Sequence, residues 1–173
     1  MSVLLSTERP AGVLGDQRDD TYDEDSYTNS AGSPVLVVLR VATTLAIAAA
    51  SGTIDYVVLA ARCSRHKFGG TWGDARLVYD EGGTEQHVDI TIVDGPTPLG
   101  SVDSGNLTTN AGGVAWTWQH LTDTTITIEQ DVTLAHGQTA TLRVGEVSAA
   151  AYGTATTFIR TPCRAYPSIV YMD

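Results

Sequence analysis

Six carboxylates fall within ten positions of the stretch DQRDDTYDEDSY, residues 16–27: Asp16, Asp19, Asp20, Asp23, Glu24 and Asp25, with Arg18 the lone cation among them. Clustered carboxylates can hold a hard cation such as Ca²⁺ or Mg²⁺ through oxygen ligands at fixed offsets. A calcium loop of the EF-hand kind started at Asp16 would need an oxygen ligand at its third position and glycine at its sixth. The chain supplies Arg18 and Thr21 there, so that pattern fails. Loose cation binding and a solvated, charged strip between two anchoring pieces remain as readings, and the second fits the surrounding residues better. No metal site is assigned.

The other residues able to do chemistry are dispersed. The histidines His66, His87, His120 and His136 fall in no His-x-x-x-His or His-Glu-x-x-His setting. There is no Gly-x-Ser-x-Gly elbow and no activated-cysteine signature, so no catalytic residue is assigned. GGTWG (69–73) lacks the lysine of a phosphate loop and precedes a strand pattern, which makes it a turn or bulge, and no cofactor site is assigned. Two cysteines, Cys63 and Cys163, lack Cys-x-x-Cys spacing, which leaves buried thiols or one long-range bridge as the alternatives. Trp116 and Trp118 alternate in VAWTWQHL as if on one face of a strand. Same-face tryptophans either stack on a sugar ring or pack a core or an interface.

Composition narrows the classes. The 173 residues carry a net charge of −10, with a sequence pI near 4.6 and mean hydropathy of −0.02. That size and balance fit one globular domain with an appendage. The acidity argues against nucleic-acid phosphates and anionic membranes as partners. The longest apolar stretch, PVLVVLRVATTLAIAAASG, is interrupted by Arg40, Thr43 and Thr44 and is not read as a membrane span. The start, MSVLLSTERPAG, lacks the basic region and long apolar run of a signal peptide, so synthesis in the cytoplasm is expected. Lys67 is the only lysine beside nine arginines, and Asp outnumbers Glu fourteen to six. An acidic, lysine-poor surface suits high salt, where screening relieves self-repulsion; a GC-rich genome produces the same bias.

Residues 1–33 hold few β-branched side chains and only scattered apolar ones: Val3, Leu4, Leu5, Val13, Leu14, Tyr22 and Tyr27. They read as an extended acidic arm whose apolar points rest on another surface. From residue 34 the chain reads as strands: 34–41 buried on both faces, 43–50 as strand or short helix, 53–63, 74–80 with 85–95 as a hairpin, a long polar loop at 96–113, then 114–121, 124–135, 139–147, 149–161 and 167–173. No fixed-period repeat is present. TLAHGQTATLRV is similar to a hairpin of immunoglobulin-like sandwiches. About eight or nine strands with turn signals between them predict an all-β fold over 34–173, an antiparallel sandwich or jelly-roll-like barrel carrying the N-terminal arm.

By composition and layout, with no motif carrying it, the whole chain resembles small virion structural proteins of haloarchaeal tailed viruses. That resemblance implies a non-enzymatic, homo-oligomeric capsid decoration or cement protein. It would bind the major capsid protein or sister subunits through the arm and reside in the virion. A tail or head–tail connector component is the related alternative. A carbohydrate- or cell-surface-binding module using Trp72, Trp116 and Trp118 is the alternative of another class.

Overall fold

Alternation in PVLVVLRV places Val35, Val37, Leu39 and Val41 on one face of a strand and Leu36, Val38 and Arg40 on the other, and only the first set turns inward. The computed structural model describes residues 2–6, 22–44, 50–95, 100–158 and 168–172, with side chains described for 22–44, 52–95 and 100–153. Among them run β1 (Ser2–Ser6), β2 (Asp23–Thr28), β3 (Val35–Thr44), β4 (Ala50–Phe68), β5 (Thr71–Glu81), β6 (Thr84–Asp89), β7 (Gly100–Asp103), α1 (Trp118–Asp123), β8 (Thr125–Leu134), β9 (Thr139–Phe158) and β10 (Ser168–Met172). No helix of the described residues is long and apolar enough to cross a membrane.

Two four-stranded antiparallel sheets face each other, in the orders β2-β9-β4-β7 and β3-β8-β5-β6. From β2 to β9 only β5 and β6 are consecutive neighbours in one sheet; every other step changes sheet. This interleaving of two Greek keys is the jelly roll. Between the sheets lie Leu39, Val41, Leu77, Ile126, Ile128 and Leu134 from one side and Ile54, Leu59, Cys63, Leu142, Val144 and Val147 from the other. Each fully buried Leu or Ile contributes about 1.5–3 kcal/mol of transfer free energy.

The expected all-β sandwich is therefore the fold, with differences in detail. Leu36 and Val38 point to the outer face of the sheet, away from the facing one, and are exposed, where burial on both faces of the strand was expected. β9 is one strand of 20 residues, where two, 139–147 and 149–161, were expected. Gly145 instead sits at a register shift, between the pairs Cys63↔Val144 and Ala61↔Val147, so both valines face the core. VAWTWQHL does not form a strand: Thr117 caps α1 by accepting from the His120 N–H at 3.1 Å. The loop expected at 96–113 contributes β7 and a bridge between Leu107 and Val57. TLAHGQTATLRV is no hairpin, because β8 and β9 belong to opposite sheets. Its turn is an arch held by the buried Asn29, whose Nδ2 donates to the Leu134 carbonyl at 2.7 Å and whose backbone pairs with Gly137 and Gln138.

The segment read as an arm divides. Asp23–Thr28 is β2, paired with β9 along its whole length inside the sandwich. Ser2–Ser6 is β1, which pairs with β10 in the same chain, Val3 opposite Tyr171 and Leu5 opposite Ile169.

Candidate functional site

The jelly roll has two ends. The arch end gathers the β2–β3 connection (29–34), the Gly69-Gly70 turn from β4 to β5, the β6–β7 connection from Ile90, and the β8–β9 arch (135–138). Tightness there is dictated locally: Gly70 has φ of +77°, and a Cβ on it would stand 2.6 Å from the Thr133 carbonyl oxygen. The opposite end carries the Gly82-Gly83 turn, the 104–117 segment and α1.

Apolar exposure and charge segregate between these ends. Among the described residues six large apolar side chains are exposed. Phe68 (77%), Leu36 (66%) and Val93 (48%) lie toward the arch end, Phe68 on the outer face of β4 and Leu36 on the outer face of β3 in the opposite sheet, with Tyr27 and Val38 farther along; Val114 alone lies at the other end. The far end carries Asp55, Asp80, Glu81, Glu85 and Asp123. The Lys and Arg residues within the side-chain-described segments, Arg40, Arg62, Arg65, Lys67, Arg76 and Arg143, all lie elsewhere, with Arg65 and Lys67 at the arch end. In a chain of net −10, the arch end is thus close to neutral and rich in apolar surface.

A buried polar lattice supports this end. β5 bulges between Trp72 and Ala75 as it passes β8. Gln130, fully buried, fastens the bulge: its Nε2 donates to the carbonyls of Gly73, Asp74 and Asp131 at 3.1, 3.2 and 2.8 Å. Its Oε1 accepts from Arg65 Nη1 at 2.7 Å, a bond from one sheet to the other. Arg65 Nε donates to Asp94 at 2.7 Å, which neutralises it. The Arg65 guanidinium and Lys67 Nζ both lie over the Trp72 ring, 5.0 and 5.4 Å from its centroid, and Nζ donates to the Gly70 carbonyl at 2.8 Å. On the outer face of β3-β8-β5, Glu129 bridges Arg40 and Arg76 at 2.8 and 3.5 Å, and Arg76 reaches Asp131 at 3.0 Å.

The residues marked in the sequence are scattered by the fold. Val3, Leu4 and Leu5 sit in β1, and Val13 and Leu14 lie outside the described residues. Tyr22 lies under the Arg143 guanidinium at 4.9 Å, and Tyr27 is half-exposed on β2. Trp116 is 3% exposed and packs on Tyr79 at a centroid distance of 6.3 Å, so its faces are not open to a sugar. Trp118 begins α1, and Trp72 lies beneath its two cations. Of the acidic cluster, Asp16, Asp19 and Asp20 lie outside the described residues. Glu24 pairs with Arg143 at 3.1 Å, and Asp25 accepts from the Arg40 backbone N–H at 2.8 Å, closing the β2/β3 corner. Among the described residues no group of three or more His, Cys, Asp or Glu could hold a metal ion. Cys63 is a buried thiol pushed up to about 12 by burial, against a smaller lowering by Arg65, and Cys163 lies outside the described residues.

Sequence reading passed over Leu36, Phe68, Val93 and Gln130. The apolar type of Phe68 beside GG was visible, but its exposure follows from β4 ending there. Comparison with family models, with curated proteins and with solved structures gave no match.

Proposed function

We propose that this chain is a virion structural protein, a decoration or cement protein that holds capsid subunits and its own copies together. The observation that carries the reading is the strand order β2-β9-β4-β7 against β3-β8-β5-β6, the jelly roll that viral capsid proteins share with lectins and cupins. Architecture is an analogy and does not choose among these uses. The surface supports assembly: one near-neutral end bearing Leu36, Phe68 and Val93, and one acidic end suited to solvent. A sugar platform finds less support, with Trp116 buried and Trp72 covered by Arg65 and Lys67. The acidic, single-lysine composition supports work in high salt.

The test is co-sedimentation of the purified chain with capsids of the tailed virus whose genome encodes it, in high-salt buffer. Saturable binding at a fixed ratio to the major capsid protein is expected. Absence of binding, together with retention on a glycan array, would replace this reading with the surface-binding one.

A further inference from the structure

We infer that Asp25 closes the free edge of β3 to any further strand, and that without its carboxylate β3 pairs edge to edge with β3 of a second copy of this chain. This is independent of the virion reading.

An edge strand presents a row of unpaired N–H and C=O groups, and a long apolar edge recruits other chains. The two sheets have four edges, β2, β7, β3 and β6. Three of them are poor templates. β7 has only four residues, β2 carries Asp23, Glu24 and Asp25, and β6 carries Glu85 and Asp89. β3 differs: its ten residues, VLVVLRVATT, hold Arg40 as the only charge. Leu36 and Val38 are exposed on its outer face and would add apolar contact to any strand laid beside it.

The ladder between β3 and β8 runs without a break from Val35↔Leu134 to Thr44↔Thr125, so the backbone groups of β3 alternate between β8 and the free edge. Arg40 identifies the outward set. Its N–H leaves the ladder and donates to Asp25 Oδ2 at 2.8 Å, so the N–H groups of Leu36, Val38 and Ala42 point the same way. Asp25 is delivered by the other sheet, where β2 is paired with β9 and Asp25 stands opposite Leu142. A strand added to β3 would bring a carbonyl oxygen to the Arg40 N–H, where a carboxylate oxygen already stands. It would have to expel Asp25 or bury that charge against its own carbonyl. The edge is thereby cut near its middle into Val35–Leu39 and Val41–Thr44, each short for a stable strand pair in water.

The apolar run Val35–Val41 has Val38 at its centre. Antiparallel pairing of two copies about Val38 sets Leu36 opposite Arg40 and Val38 opposite itself. That contact is isologous and joins the two four-stranded sheets into one.

The experiment is light scattering over a concentration series on the full chain and on Asp25→Ala, Glu24→Ala and Asp25→Ala with Val38→Pro, with circular dichroism melts on each. Proline at 38 removes an N–H that faces the free edge and none from the β3–β8 ladder. Glu24→Ala removes the Arg143 pair from the same strand and controls for a loosened β2. Asp25→Ala is expected to rise with concentration to at least about twice the parent's mass. Glu24→Ala and the double variant are expected to keep the parent's mass. An Asp25→Ala chain with the parent's mass, equal association in Glu24→Ala, or association that Val38→Pro does not cure overturns the inference. Amide exchange on the parent chain gives a second reading that needs no variant. Arg40 is expected to exchange more slowly than Leu36, Val38 and Ala42, and equal rates would overturn the role of Asp25.

Discussion

Replacing Gln130 with Met keeps the volume of the side chain and removes every hydrogen bond it makes. The amide Nε2 serves three carbonyls, Gly73, Asp74 and Asp131, with two hydrogens, and Oε1 accepts from Arg65. A hydrogen bond to a charged group contributes about 1.5–3 kcal/mol and a neutral one about 0.5–1.5 kcal/mol. Arg65 keeps Asp94, and Gly73 and Asp74 lie at the exposed side of the bulge where water can reach them, so the lower parts of both ranges apply. The expected loss is about 2–4 kcal/mol, or a fall in Tm of roughly 5–12 °C for a domain of this size. Gln130→Glu separates the two halves of the argument. A carboxylate satisfies Arg65 but cannot donate to the three carbonyls, so it too is expected to lower Tm. Thermal melts by circular dichroism, with tryptophan emission reporting on Trp72, read both variants. A Met variant melting within about 1 °C of the parent, or a Glu variant melting above it, would refute Gln130 as the fastener of the bulge.

Asn29→Ala removes the bonds to the Leu134 and Ser33 carbonyls and the one accepted from the Ala31 N–H, and should cost about 2–4 kcal/mol in urea titration. Cys63 is held neutral to about pH 12 in the fold against an ordinary 9.0, so its contribution to stability is complete below pH 9. As pH rises from 9 toward 12 the unfolded thiol ionises first, and stability should fall by up to about 1.4 kcal/mol per pH unit, a slope that Cys63→Ala removes. Unfolding free energy should rise with NaCl into the molar range, because the far-end carboxylates repel each other; a response flat in salt would leave the composition to genome bias alone.

The fold class was legible because period-2 alternation, as in residues 126–134, marks a strand with one face buried, whereas the strand expected at 85–95 ends at Asp89. Strand order was not, since nothing local tells β8 that its neighbours are β3 and β5. HGQ supplies the same glycine for a hairpin or an arch, and the choice was made by Asn29, a hundred residues upstream. β2 was hidden because DEDSYT is polar on both faces at an edge, where cross-strand pairs such as Ser26–Thr141 and Glu24–Arg143 replace burial. A truncation at residue 33 would therefore remove a strand of the sandwich together with Asn29, whereas a cut at 21 spares both. The exposure of Leu36 and Phe68 was not legible for a related reason: both look like core residues until the register shows that each points to the outer face of its sheet. Trp116 and Trp118 misled because Thr117 between them caps a helix.

The proposed function holds that this chain is built into virus particles. The most direct measurement is quantitative mass spectrometry of gradient-purified virus particles from cultures that express it. The account predicts peptides of this chain in fixed stoichiometry with the major capsid protein, retained through high-salt washing. Particles free of the chain, with all of it left in the lysate supernatant, would contradict it.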